Sequence, residues 1–196
     1  DKIAEVKIRR ATKKDTKHIA RINAKVFAGN RDSPKSAEEW VITLFNELPK
    51  HYQYFVAEIN GKMVGYIGWE LRGGFLRSDP AAEIRKFELV AGTADELEQL
   101  GIDPKFMGFG IATKLVKESA DKWIIPWIQE RDKRINSDIN LVVWCYANNE
   151  AAIRVYKKSG FTKQCGTRRQ FGNRREIMLK RTVPFTIPIR EESADS

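Results

Sequence analysis

Two groups of residues in this chain have types and spacing that can do chemistry. The first runs Ile102-Asp103-Pro104 and then Met107-Gly108-Phe109-Gly110-Ile111-Ala112-Thr113. It reads as the end of a strand, a short loop with two glycines, and the start of a helix. Glycine lets the backbone approach a ligand closely, and the first N–H groups of a helix have no partner within it. The helix dipole adds positive potential at the same place. Such a site suits a phosphate or a pyrophosphate. The spacing is not G-x-G-x-x-G and no Gly-Lys-Ser/Thr occurs, so neither a dinucleotide fingerprint nor a P-loop is present. The second group runs from Asn149 through Ala152 and Tyr156 to Gly160-Phe161. Asn149 stands where a helix N-cap is expected, and Tyr156 follows about two turns later. Taken singly, the two groups also read as an ordinary turn and as a capped amphipathic helix with a core tyrosine.

These residues need elements to position them. Val6-Lys7-Ile8-Arg9 alternates as a first strand. Thr12 with Asp15 is a capping box for a helix that carries Ile19, Ile22 and Val26 on one face and ends near Ala28-Gly29-Asn30. Ser36 with Glu39 opens a second helix with Trp40, Leu44 and Leu48 on one face. Tyr54–Ile59 and Met63–Trp69 flank Asn60-Gly61, the strongest short-range hairpin signal. Gly73 to Gly92 reads as a loop with a short strand or helical turn around Ile84 to Leu89. Glu96 to Ile102 is a strand whose Gly101 implies a bulge or a close approach by another group. A helix follows from Gly108 through Leu115, Val116 and Ala120, prolonged by Trp123 to Ile128 with Pro126 as a kink or stop. Ile139 to Tyr146 reads as a strand buried on both faces, and Glu150 to Lys158 as a helix ended by Ser159-Gly160. Phe161 to Thr182 reads as two strands around Phe171-Gly172-Asn173. The fold class is α/β with a mixed sheet. Residues 1–183 form one domain, and 184–196 an irregular tail.

Composition narrows the function. The 196 residues are 42 % hydrophobic and 31 % charged, which excludes a disordered chain, collagen or a disulfide scaffold. No apolar run approaches the roughly 18 residues of a membrane span, and the first residues carry no signal-peptide pattern. Cys145 and Cys165 make no framework, so the expected location is cytoplasmic, with free thiols. His18 and His51 are far apart and have no ligand-spaced partners, so no metal is expected. The net charge of +9 is uneven. Lys157 to Arg181 holds nine basic residues against Glu176 alone, or +8, whereas Glu83 to Asp103 holds six acids against Arg85 and Lys86, or −4. The basic stretch has only Phe161 and Phe171 for stacking, which argues against nucleic acid. Both runs also read as solvated faces.

Together the two groups resemble the GNAT superfamily of acyl-CoA-dependent N-acetyltransferases. The family pattern is V-x-P, R/Q-x-x-G-x-G/A and N-x-x-A-x-x-x-Y-x-x-x-G-F. Here Ile102, Pro104, Gly110, Ala112, Asn149, Ala152, Tyr156, Gly160 and Phe161 match it. The opening Ile8-Arg9-Arg10-Ala11-Thr12 with Asp15 and the closing Ile177-x-Leu179 also look like the family's, so the resemblance covers residues 5 to 182. Met107 departs from it, standing where the family has Arg or Gln. The resemblance implies a single domain with a central sheet of about seven strands, flanked by helices and splayed between strands 4 and 5. Those strands are read as Glu98–Ile102 and Leu141–Tyr146.

The resemblance also implies a site. Acetyl-CoA is the cosubstrate. Its pyrophosphate lies on Met107, Gly108, Phe109, Gly110, Ile111, Ala112 and Thr113. Lys105 and Lys114 pair with its phosphates or stay as solvated lysines. The pantetheine arm enters the splay and pairs with backbone of Leu100, Gly101 and Ile102, while Asn149 and Tyr156 also meet the cofactor. Tyr156 is the general acid, because a phenol near pKa 10 stays protonated above a thiol near 8.5. Glu98 is the candidate general base, acting through a water, and Glu96 on the same face is its alternative. Both glutamates also read as a strand's solvent-facing charges. The reaction is direct attack of a primary amine, on a small cationic molecule or a protein, upon the thioester. The acidic Glu83–Glu98 stretch favours a cationic acceptor. The competing reading is a non-catalytic acyl-CoA-binding or regulatory module of the same fold. Trp123–Ile128 and the segment after Pro184 are candidate elements of a homodimer interface.

Overall fold

The structure is a computed structural model, and it describes residues 5–26, 52–72, 88–91, 100–131, 138–170 and 174–184. The alternating start of the chain forms β1 (Val6–Arg10). A 3-10 turn (Lys13–Asp15) leads into α1 (Thr16–Val26). The Asp15 carboxylate accepts from the Thr12 N–H at 2.7 Å, the return bond of a capping box, and also from the Thr12 hydroxyl at 3.0 Å. β2 (Tyr52–Ile59) and β3 (Lys62–Arg72) are an antiparallel hairpin. Asn60 and Gly61 turn it with φ of 51° and 73°, so both sit in the left-handed region that a tight two-residue turn requires.

Two short strands then lie on β3. β4 (Glu88–Ala91) pairs antiparallel with Trp69–Arg72, and β5 (Leu100–Ile102) with Gly65–Ile67. Only Gly68 of β3 separates the two pairings. The short element expected near Ile84 to Leu89 overlaps β4 at Glu88 and Leu89; residues 84–87 lie outside the described residues. The strand expected from Glu96 is seen as β5 only; Glu96 and Glu98 lie outside the described residues. So do the second helix around Trp40 and Leu44, the α1 terminus near Gly29, most of Gly73 to Gly92, and the tail from 185 onward.

A 3-10 turn (Pro104–Phe106) precedes α2 (Ile111–Ser119). Ala120–Ile124 then form a π turn, and α3 (Ile125–Arg131) continues the same path. Pro126 does not stop the helix, which runs on to Arg131. The wider turn is made just before it, where the Ile125 N–H reaches back to the Ala120 carbonyl. β6 (Ile139–Tyr146), α4 (Glu150–Lys158), β7 (Lys163–Gln170) and β8 (Arg174–Val183) complete the order. The sheet has eight strands in the order β1-β2-β3-β4-β6-β8-β7, with β5 beside β3. β4 and β6 run parallel and the other pairs antiparallel, so the sheet is mixed as expected.

The sheet is buried from both sides. Phe55, Ala57, Ile67, Trp69, Leu141, Val143, Cys145, Ile177 and Leu179 share a core with Ile111, Leu115 and Val116 of α2 and Tyr156 of α4. Tyr54, Val56 and Tyr66 point the other way and pack on Ile19 and Ile22 of α1. α2 and α4 therefore cover one face and α1 the other. The Trp69 indole N–H donates to Ser119 Oγ at 2.9 Å inside the first core, so a buried polar pair locks α2 to β3.

Gly101 pairs with Tyr66 in regular register, so the alternative of a bulge is not what this glycine provides. It is needed for close approach: a Cβ there would lie 2.7 Å from Tyr66 Cε1 and 3.3 Å from Ile22 Cγ2. The Tyr66 hydroxyl is held by Asn23 Nδ2 at 2.7 Å, so the ring cannot swing aside freely. Gly101→Ala should lower the unfolding free energy by about 1–3 kcal/mol, measured by urea denaturation. Arg9 makes a two-pronged contact to Asp15 (2.8 and 2.9 Å) and also binds Glu58, joining β1, β2 and the start of α1. The hydrogen bonds of Arg9 hold the Asp15 carboxyl at about 2. An unfolded aspartate titrates near 3.9, so this stabilisation is complete above about pH 4 and is lost as pH falls toward 2. Asp15→Asn should flatten the fall in melting temperature over that range, measured by calorimetry at successive pH values.

Candidate active site

The site is built around a break in strand pairing. Among the described residues, β6 pairs with β4 through Asn140–Val143, and Trp144, Cys145 and Tyr146 pair only with Met178, Ile177 and Glu176 of β8. β5 pairs only with β3 among the described residues. From Trp144 onward the sheet therefore opens between β5 and β6. This is the splay expected between strands 4 and 5, now labelled β5 and β6. Each strand turns an edge of N–H and C=O groups toward the opening, and such groups need partners.

The opening leads to the start of α2. Ile102 ends β5, and Asp103 turns the chain: its N–H donates to the Val64 carbonyl at 2.8 Å, and its carboxylate accepts from the Lys105 N–H at 3.1 Å. Lys25 Nζ of α1 contacts the same carboxylate at 2.9 Å. That ammonium is the main reason the Asp103 carboxyl is held below the usual range. Gly108 and Gly110 then adopt φ of 86° and 75°, and a Cβ built on either meets nothing within 4 Å. The left-handed backbone explains both glycines, and the open space leaves the loop free to receive a ligand. Met107 and Phe109 beside them are 52 % and 55 % exposed. The first bond of α2 runs from the Lys114 N–H to the Gly110 carbonyl, 3.0 Å. The N–H groups of Ile111, Ala112 and Thr113 stay outside that ladder, as an anion site at a helix start needs.

The residues present fit acetyl-CoA. Two unpaired strand edges match an amide-bearing arm, and the exposed helix start matches a pyrophosphate. The lysines flanking the loop differ in what they do. Lys114 Nζ is committed to the Val6 carbonyl (2.6 Å) and to Glu118 (3.5 Å), so it ties α2 to β1. Lys105 keeps an exposed side chain and makes no ion pair among the described residues.

α4 packs against α2 and carries the second group. Asn149 caps it as expected, its Oδ1 accepting from the Ala152 N–H at 3.0 Å. Ser159 at the far end bonds the Val155 carbonyl at 2.9 Å. Tyr156 is only 4 % exposed, edge-on to Phe161 with ring centres 6.2 Å apart. The structure thus brings β5, the 107–113 loop and β6 to one opening, and it buries Tyr156 of α4 in the core shared with α2. It places neither Glu98 nor Glu96, which lie outside the described residues.

One residue family matches this arrangement over most of its length. Residues 18–161 match the model of the Acetyltransferase (GNAT) family. The chain belongs to that family. An uncharacterised N-acetyltransferase of Methanocaldococcus jannaschii is 27 % identical over 159 residues, covering 80 % of this chain and 61 % of that protein. The N-alpha-acetyltransferase RimI of Mycobacterium tuberculosis is 28 % identical over 164 residues, covering 82 % of this chain and 80 % of RimI. Among solved structures, the ribosomal-protein-S18-alanine N-acetyltransferase of Escherichia coli superposes with a TM-score of 0.59 at 18 % identity. It covers 94 % of this chain and 98 % of that one, which shows a shared fold.

Among the described residues no group of three His, Cys, Asp or Glu could hold a metal, and no helix is long and apolar enough to cross a membrane. Both cysteines are free. Cys145 lies on β6 at the opening, where burial, helped by the charge of Glu176, pushes its thiol up to about 11. It is a protonated core residue at neutral pH, not a nucleophile. Sequence reading missed Tyr146, Glu176, Arg168 and Arg174, which the β6–β8–β7 register brings together beside the opening. The available signal was Glu176, the single acid in a basic stretch. With iodoacetamide at pH 8, exposed Cys165 should be alkylated first and Cys145 only on unfolding, read by mass spectrometry of the two peptides.

Proposed function

We propose that this chain transfers the acetyl group of acetyl-CoA to a primary amine by direct attack. The observation that carries the reading is the unpaired opening between β5 and β6, which runs straight to an exposed, glycine-bearing helix start. The backbone of Leu100, Gly101 and Ile102 would hold the cofactor arm. The N–H groups from Gly108 to Thr113 would hold its pyrophosphate, with Met107 contributing backbone and Asn149 lying at the start of α4. Acetyl-CoA supplies the acetyl group as a thioester; everything else falls to the protein.

The amine is the difficult partner. A lysine-like amine has a pKa near 10.4, so at pH 7 only about one molecule in a few thousand is neutral. Glu98, or Glu96 two residues before it, is the proposed proton acceptor, through a water. Tyr156 is the proposed donor to the departing sulfur, from a phenol whose ordinary pKa near 10 keeps it protonated. Cofactor contacts lie on the face of α2 and α4. The amine is then read as arriving from the opposite face, where α1 lies. RimI and the S18-alanine enzyme act by name on protein amines, and a peptide N-terminus is the first acceptor to try.

Calorimetric titration with acetyl-CoA, CoA and adenosine 3′,5′-bisphosphate tests the cofactor site. All three should bind, and Gly110→Asp should abolish binding through a forbidden φ and a misplaced negative charge. Tyr156→Phe should lower kcat about a hundredfold or more with little change in the acetyl-CoA KM. Glu98→Gln should lower kcat near pH 7 and recover as pH rises and the amine loses its own proton. An unchanged pH profile would remove Glu98 from the role.

A further inference from the structure

The wall on the acceptor side of the opening is basic and aromatic. Cys145 points into the core under α2 and α4, so its neighbours Trp144 and Tyr146 project to the opposite face. Register places Met178 and Glu176 of β8 beside them, and Gly166 and Arg168 of β7 beyond. The Arg168 guanidinium lies 4.5 Å from the centre of the Trp144 ring and donates to Glu176, which is 8 % exposed. Arg174 lies 5.7 Å from the centre of the Tyr146 ring. A recess of about 580 Å³ opens here, lined by Tyr146, Ala147, Asn148, Arg174 and Arg175.

Charge in this wall does not balance. Glu176 answers Arg168. Arg174 and Arg175 are exposed and have no acidic partner among the described residues. A guanidinium laid over an aromatic ring keeps its edge donors free for a planar oxyanion. Arg168 is fixed by its own pair, whereas Arg174 is fixed only by stacking, so its donors remain for a ligand.

The geometry points to Arg174 as the reader of a carboxylate on the acceptor, a short distance from the amine that is acetylated. This rests on the acyl-transfer reading and deepens it. It also divides the acceptor's charges: the amine end falls to the proposed proton acceptor, Glu98 or Glu96, and the anionic end to the arginine recess. The acidic stretch in the sequence and the basic recess in the structure then select for one acceptor with both charges, in place of a simple polycation.

Three peptides with N-terminal Ala followed by Glu, Gln or Lys test this, beside 4-aminobutyrate and n-butylamine, which carry the same contrast without a peptide. Binding is measured by calorimetry with saturating CoA, and turnover by thiol release. In at least one series the carboxylate-bearing member should be preferred about tenfold in both Kd and kcat/KM. R174E should erase or reverse that order while leaving the acetyl-CoA KM unchanged, and R174Q should weaken it. Acid-selective binding without turnover would support the recess and count against acetyl transfer instead. Equal binding within both series, or no binding at millimolar ligand, would overturn the proposal. So would an R174E variant whose acetyl-CoA KM rises while acceptor order stays, since the arginines would then serve the cofactor.

Discussion

A sheet that stops pairing in its middle must give its exposed backbone groups something else to bond. Among the described residues β6 pairs with β4 as far as Val143, and β5 pairs with β3 without meeting β6. The two facing edges are the constraint on which the rest of the structure depends. They stay apart because each is held from behind: β5 by Gly65–Ile67 of β3, and Trp144–Tyr146 of β6 by β8. The opening is thus built from well-paired strands, and a ligand with amide groups can complete it without the protein first unfolding any part.

The helices hold that opening in place. α2 starts at the end of β5 after a turn fixed by Asp103, and Lys25 ties the turn to α1 on the other face. Ser119 binds Trp69 at the far end of α2, so the helix is pinned to β3 while the loop that leads into it, Met107–Gly110, remains exposed. α4 lies against α2 with Tyr156 on its buried side. The π turn before Pro126 lets the long helical run continue across the core without breaking at the proline. The Arg9 pairs with Asp15 and Glu58 do similar work at the sheet's edge, joining β1, β2 and the start of α1.

Face parity divides the chemistry. Alternate residues of β6 point to opposite sides, so Cys145 is a protonated thiol in the core while Trp144 and Tyr146 meet arginines. A cofactor can be held from the α2 and α4 side and an acceptor met from the other. Specificity for the acceptor can then change on β7 and β8 without disturbing the loop proposed to hold phosphate.

Much of this was legible in the sequence, because the signals involved are local. The Thr12–Asp15 capping box, the Asn60-Gly61 turn, the glycines at 108 and 110 and the Asn149 cap each rest on the φ angles or hydrogen bonds of a few neighbouring residues. The buried run from Ile139 to Tyr146 marked the central strand in the same way. The family pattern, spread over Ile102 to Phe161, identified the fold that these pieces build. Tertiary structure alone decided what depends on residues distant in sequence. Gly101 is a glycine because of Tyr66, not because of a bulge, and Lys114 is spent on the Val6 carbonyl. Glu176 became a buried partner of Arg168, and Arg174 was set over Tyr146, only through the register of β6, β8 and β7. Charge along a chain says which residues are ionic; strand register, fixed by which faces are buried, says which of them meet.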